Sequence, residues 1–170
     1  MKDLQSFKKI WKAEYEMKID SSAASIWEII TKPKNLELVH PFCKSNETIN
    51  WPGVGSKDIL IYHSGLKYIR EFLTWDKGKG YSLLIGEKNK ERSYVVWKIF
   101  KKQNDHYLKI TVYPYFLKDY PKLISFFPYY FFIIPKLTEY LKSVIQGIDW
   151  HLKTGKKIKK NQFGEHAWFS

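Results

Sequence analysis

The chain has 170 residues, of which 44% are hydrophobic and 18% aromatic. That content excludes global disorder, and the length suits one domain able to bury a core without staples. Lys and Arg together number 29 against 17 Asp and Glu, a formal net charge of +12, yet Arg70 and Arg92 are the only arginines. Arg, more than Lys, supplies bidentate reading of phosphates and base edges. The lysine excess therefore speaks against specific nucleic-acid recognition, and leaves open both a solubilising surface and attraction to anionic surfaces. A single cysteine, Cys43, excludes an intrachain disulfide.

The opening residues, MKDLQSFKKIWKAEYE, lack the apolar run of a leader peptide. The longest nearly uncharged run, Leu123 to Pro135, falls short of the ~20 apolar residues that span a bilayer. A cytoplasmic location is the expectation.

In chain order, residues 11–20 alternate Trp11, Ala13, Tyr15, Met17 and Ile19 with charged residues, the period of a half-buried strand. Asp20-Ser21-Ser22 supplies capping chemistry for a helix that puts Ile26, Ile29 and Ile30 on one face. Pro33 ends that helix or opens a second short one, stopped by Pro41. From about residue 44 to 114, strand-like runs alternate with turn signals at Gly53-Val54-Gly55, Ser64-Gly65, Lys77-Gly78-Lys79-Gly80, Glu87 to Lys90 and Gln103-Asn104-Asp105. Connections this short make an antiparallel meander, because parallel crossovers need a dozen or more residues.

Prolines at 114, 121, 128 and 135 then punctuate an aromatic segment, LISFFPYYFFII, which carries no charge between Lys122 and Lys136. It reads either as a packed cover at the end of the sheet or as an apolar gate that touches a membrane. After Pro135, Leu137, Tyr140, Leu141, Val144, Ile145, Ile148 and Leu152 form the apolar stripe of a long helix, with Gly155 placed to end it. Residues 156–170 form a basic tail. The plan is α+β: a curved antiparallel sheet of six to seven strands around a long C-terminal helix, with two short helices after the first strand.

That order resembles the helix-grip fold of the START-like, polyketide-cyclase-like (SRPBCC) superfamily. The resemblance is carried by the opening strand with SAASIWEII, by PGVGSKDILIYHSGLKYIREF, and by VIQGIDWHLKTGKKIKKNQFGEHAWFS. It covers about residues 8–170, essentially the whole chain, which reads as a single domain, 1–170, with a core at 8–155, and it implies a cavity between sheet and long helix for an apolar or amphipathic molecule. It fixes no ligand, since carriers, sensors and enzymes share the fold.

The residues offer little catalytic chemistry of their own. The five histidines are scattered without metal-ligand spacing, and no phosphate-cradling loop is present, so neither metal nor cofactor is expected. Cys43 would need a neighbouring base to act as a nucleophile, and reads more readily as a small, partly buried side chain. A two-residue turn at Ser64-Gly65 or Gly65-Leu66 would align Ile59, Ile61 and His63 with Tyr68, Arg70 and Phe72 on the less charged face. A three-residue turn would change that alignment and turn Glu71 inward.

On the first alignment, His63 and Arg70 anchor the polar end of a ligand, and Tyr68, Trp97, Tyr140 and Val144 form the apolar wall. Strand parity points Val95, Trp97 and Ile99 inward, together with Leu108, Ile110 and Val112. An enzyme reading uses the same cavity for cyclase or dehydratase chemistry, with His63 as acid/base and Arg70 stabilising an enolate. A third expectation is peripheral contact with an anionic membrane through 123–135 and the lysines from Lys153 to Lys160.

Overall fold

The computed structural model describes residues 11–115, 127 and 129–170. Strand β1 (Ala13–Ile19) leads into helix α1 (Ala23–Thr31) and the short helix α2 (Leu36–Val39). Six further strands follow: β2 (Cys43–Asn50), β3 (Lys57–Tyr62), β4 (Lys67–Asp76), β5 (Gly80–Gly86), β6 (Ser93–Lys102) and β7 (Asp105–Tyr113). A π-helical turn, Tyr129–Ile133, then runs into the long helix α3 (Ile134–Thr154).

Local chemistry explains the boundaries. The Ser22 hydroxyl accepts the Ser25 N–H at 3.0 Å and caps α1, whose Ile26, Ile29 and Ile30 are buried. Pro135 sits in the first turn of α3, where its missing N–H costs nothing. Gly155 closes that helix at φ 68°, its N–H returning to the His151 carbonyl.

All seven strands join one antiparallel sheet in the order β1-β7-β6-β5-β4-β3-β2. The second strand of the chain thus lies at the edge opposite the first, and α1 and α2 make the crossing between them. Helix α3 packs along β1 and touches β7, α1 and α2. Ala13, Ile19, Val95, Trp97, Ile99, Leu108, Ile110 and Val112 join Leu137, Leu141, Val144, Ile145 and Ile148 in the main core. This is the helix-grip arrangement.

Two features set how α3 lies. A Cβ built on Gly147 would come within 2.0 Å of the Val39 carbonyl oxygen, so a glycine is required where α3 crosses the end of α2. Beyond α3, the 156–170 segment packs back onto the domain. The N–H groups of Ile158 and Asn161 donate to the carbonyls of Leu38 (2.9 Å) and Pro41 (3.0 Å). His166 is buried and donates from Nε2 to the Lys136 carbonyl at 3.0 Å, while its Nδ1 accepts the Trp168 N–H.

Most of the proline-spaced segment, 116–126 and residue 128, lies outside the described residues. Of the remainder, Tyr129 is buried and donates its hydroxyl to the Trp11 carbonyl at 2.7 Å. Phe127, Tyr130, Phe131 and Phe132 are exposed, at 66, 54, 59 and 70%. Among the described residues no helix is long and apolar enough to cross a membrane.

Candidate functional site

The sheet curves away from α3 on its β3–β6 side, and a cavity of about 510 Å³ opens there, within the range of small-molecule sites. Leu83, Ile85, Val95, Trp97, Ile110 and Val112 furnish its sheet wall. Leu137, Tyr140, Leu141 and Val144 of α3 face them, and Trp168 and Phe169 of the chain's last residues close one side. The Phe169 ring stacks against Tyr62 and lies against Tyr140, with centroids 4.6 Å away in each case.

Tyr68, Arg70, Trp97, Tyr140 and Val144 all line this cavity. His63 does not, which corrects the expectation from strand parity. The Tyr62 N–H donates to Leu66 and the Gly65 N–H to Tyr62, so three residues, His63-Ser64-Gly65, form the turn. Gly65 takes the φ of +90° that this turn needs. An odd loop pairs even positions with even ones: Asp58 faces Arg70 and Leu60 faces Tyr68.

The parity that changes is therefore that of β3, not β4. Leu60 and Tyr62 turn inward in place of Ile59 and Ile61, and His63 sits on the hairpin tip with its N–H on the Phe42 carbonyl. Arg70 keeps the inward face, and Glu71 points outward to Arg92 (2.8 Å) and Lys57 (3.5 Å).

Arg70 is 3% exposed and Asp58 is fully buried. Asp58 receives the Arg70 Nε at 2.8 Å and also Nη2, a two-pronged pair. Burial works against the guanidinium charge, but the Asp58 charge and hydrogen bonds outweigh it and hold the group above its ordinary range. The anion that Arg70 requires is thus Asp58, a residue of the protein. A two-residue turn would have put Asp58 on the face opposite Arg70; the three-residue turn brings the two together.

A second polar group surrounds Tyr140. His40 Nδ1 accepts the Phe42 N–H at 3.2 Å, so the ring proton sits on Nε2 and is donated to the Tyr140 hydroxyl at 2.8 Å. The hydroxyls of Tyr140 and Tyr62 are 3.0 Å apart. Burial, followed by the Arg70 charge, lowers the His40 pKa to about 3, leaving it neutral. Burial pushes both phenols above their ordinary range, and it pushes the Cys43 thiol up to about 12. With both ring nitrogens of His40 engaged, Cys43 has no base there to make it a nucleophile. Among the described residues, no group of three His, Cys, Asp or Glu is placed to hold a metal ion.

No protein-family model matches this chain, and no curated protein is similar to it. Solved structures are similar to it in fold. One is DynU16, from the dynemicin biosynthetic locus, at 12% identity and TM-score 0.65, covering 86% of this chain and 48% of that one. The chain thus spans about half the length of DynU16. Another is ginseng major latex-like protein 151 from Panax ginseng, at 16% identity and TM-score 0.60, covering 83% and 96%. A third is the Staphylococcus aureus protein SA2116, described as of unknown function, at 11% identity and TM-score 0.68, covering 85% and 94%. At these identities the similarity establishes the helix-grip fold alone.

Proposed function

We propose that this protein binds a hydrophobic or amphipathic small molecule, such as a fatty acyl, isoprenoid or polyketide-like compound, between its sheet and its C-terminal helix. The carrying observation is the cavity itself: about 510 Å³ of space under α3, walled mainly by aliphatic and aromatic side chains, in a chain with ample rings to have filled it. Tyr68, Trp97, Tyr140 and Val144 would contact the guest, with the polar groups of Tyr62 and Arg70 nearby. His63 is withdrawn from this set. Native mass spectrometry of the purified protein tests the proposal, with a co-purified small molecule expected. Failure to retain any such molecule, together with no saturable uptake of fluorescent apolar probes, would overturn it.

The geometry favours binding over cyclase or dehydratase chemistry. His63 lies outside the cavity, the wall histidine His40 has both nitrogens engaged, and among the described residues no Asp or Glu side chain is part of the wall. A general acid–base needs a group poised near working pH, and neither His40 nor the buried phenols are so poised.

One observation favours a further reading, peripheral contact with an anionic membrane. Phe127, Tyr130, Phe131 and Phe132 are exposed beside Ile133, which lines the cavity. Exposed aromatic rings next to a residue of the cavity wall, on a protein of net charge +12, suit shallow insertion among charged headgroups. Sedimentation with anionic liposomes is expected at low salt and is reduced at high salt. Protein that stays in the supernatant at low salt would end this reading.

A further inference from the structure

We infer that the Arg70–Tyr62–Tyr140 end of the cavity recognises a neutral oxygen acceptor, a ketone or ester carbonyl, and disfavours a carboxylate of the same length. The inference rests on the ligand-binding proposal and deepens it. It follows from two counts, one of charge and one of protons.

The charge count comes to zero. Arg70 is the one Arg or Lys among the described residues of the wall, and Asp58 already neutralises it through Nε and Nη2. His40 is neutral, as its hydrogen bonds and burial require. A carboxylate entering here would lose its water and find no unpaired cation, the situation in which desolvation exceeds attraction. A carbonyl loses far less water and brings no charge.

The proton count shows a donor waiting. The backbone of Phe42 fixes the His40 proton on Nε2, which serves Tyr140. Two phenols then share one hydrogen bond. Whichever of them donates in it, one phenol O–H is left over in the cavity wall among the described residues. Arg70 is not a second one: Asp58 holds its Nε and Nη2, and the buried Tyr81 hydroxyl beside the guanidinium offers an acceptor to the rest. His40, Tyr62, Arg70 and Tyr140 all line the one cavity. A spare phenol donor in an apolar, net-neutral site selects an uncharged acceptor.

The test compares 2-undecanone with decanoate, equal in heavy-atom count, at pH 7.5, where decanoate is ionised. Emission of the wall tryptophans, Trp97 and Trp168, reports binding. The ketone is expected to bind at least about tenfold more tightly. The infrared carbonyl stretch of the carbon-13-labelled ketone is expected to move to lower wavenumber on binding, and to move back toward its free value in the Tyr62→Phe/Tyr140→Phe double variant. Decanoate binding as tightly as the ketone overturns the inference while leaving the cavity proposal standing, and so does an unshifted stretch in the bound wild-type complex. If neither probe binds and no other apolar molecule does, the cavity proposal itself fails. The wild-type comparison decides the matter even if the double variant does not fold.

Discussion

Phe169, the second residue from the C-terminus, stacks face to face on Tyr62 of β3, with ring centroids 4.6 Å apart and planes 28° apart. The contact joins the end of the chain to the cavity wall and makes the last residues part of the domain. Phe169 is 7% exposed and also packs on Tyr140 and His166. Phe169→Ala is expected to lower stability by about 3 kcal/mol, the usual effect of emptying a buried ring site, and to widen the cavity toward longer guests. Urea unfolding and the chain-length profile of bound alkyl probes check this. An unchanged midpoint would mean that the last residues do not hold the domain together.

Arg70 lines the same cavity and is paired with the buried Asp58, and the two are unequal to remove. Asp58→Asn strands a buried guanidinium without its anion and is expected to cost about 3–5 kcal/mol. Replacing both together, as Asp58→Leu with Arg70→Met, removes the stranded charge and is expected to recover most of that loss. Urea unfolding of the single and double variants measures the difference. A double variant no more stable than Asp58→Asn would contradict this account of the pair.

The contrast between the hairpin and the helix explains what the sequence could disclose. The stripe from Leu137 to Ile148 was legible because helical spacing separates it cleanly from Lys136, Glu139 and Lys142. In KDILIYH both alternations carry apolar residues, Ile59 and Ile61 against Leu60 and Tyr62, so turn length alone fixes the face. Asp58 could be placed inside only together with Arg70, its cross-strand partner. Strand β2, CKSNETIN, is a polar edge strand without apolar alternation. The tail, KKIKKNQFGEHAWFS, has no periodicity, and its place depends on contacts with Leu38, Pro41 and Lys136 distant in sequence. His40 joined the polar group only through Tyr140, a hundred residues away.

Gly147 sets two effects against each other. Alanine favours a helix interior by about 1 kcal/mol over glycine. Here its methyl would lie 2.0 Å from the Val39 carbonyl oxygen, a backbone atom that cannot swing aside. Gly147→Ala is therefore expected to be destabilising, by about 2 kcal/mol net, as α2 is forced off α3. Thermal unfolding checks it, and a raised Tm would show that α2 gives way freely.

Cys43 should be inert in the folded protein. Its thiol is pushed up to about 12, chiefly by burial, so almost none of it is thiolate at pH 7.5. Reaction with a disulfide reagent is expected to be on the order of a hundredfold slower than in the urea-unfolded chain. Equal rates in the two states would place the thiol in a more open setting.

His40 makes stability depend on pH. In the folded protein its pKa is lowered from 6.5 to about 3, by burial and then by the Arg70 charge. Between those values the unfolded chain binds a proton that the folded chain refuses. Protonation therefore favours unfolding, and stability falls as pH drops from about 6.5 toward 3, by up to about 1.4 kcal/mol per pH unit. His166, also lowered by burial, contributes with the same sign. His40→Asn keeps an acceptor for the Phe42 N–H and removes the titration. Urea unfolding from pH 7.5 to 5 should then show a slope shallower than wild type, the difference growing to about one proton toward pH 5, whatever the variant's absolute stability. Equal slopes in the two proteins would mean that His40 takes up its proton without unfolding, and the neutral tautomer on which the donor count depends would no longer hold.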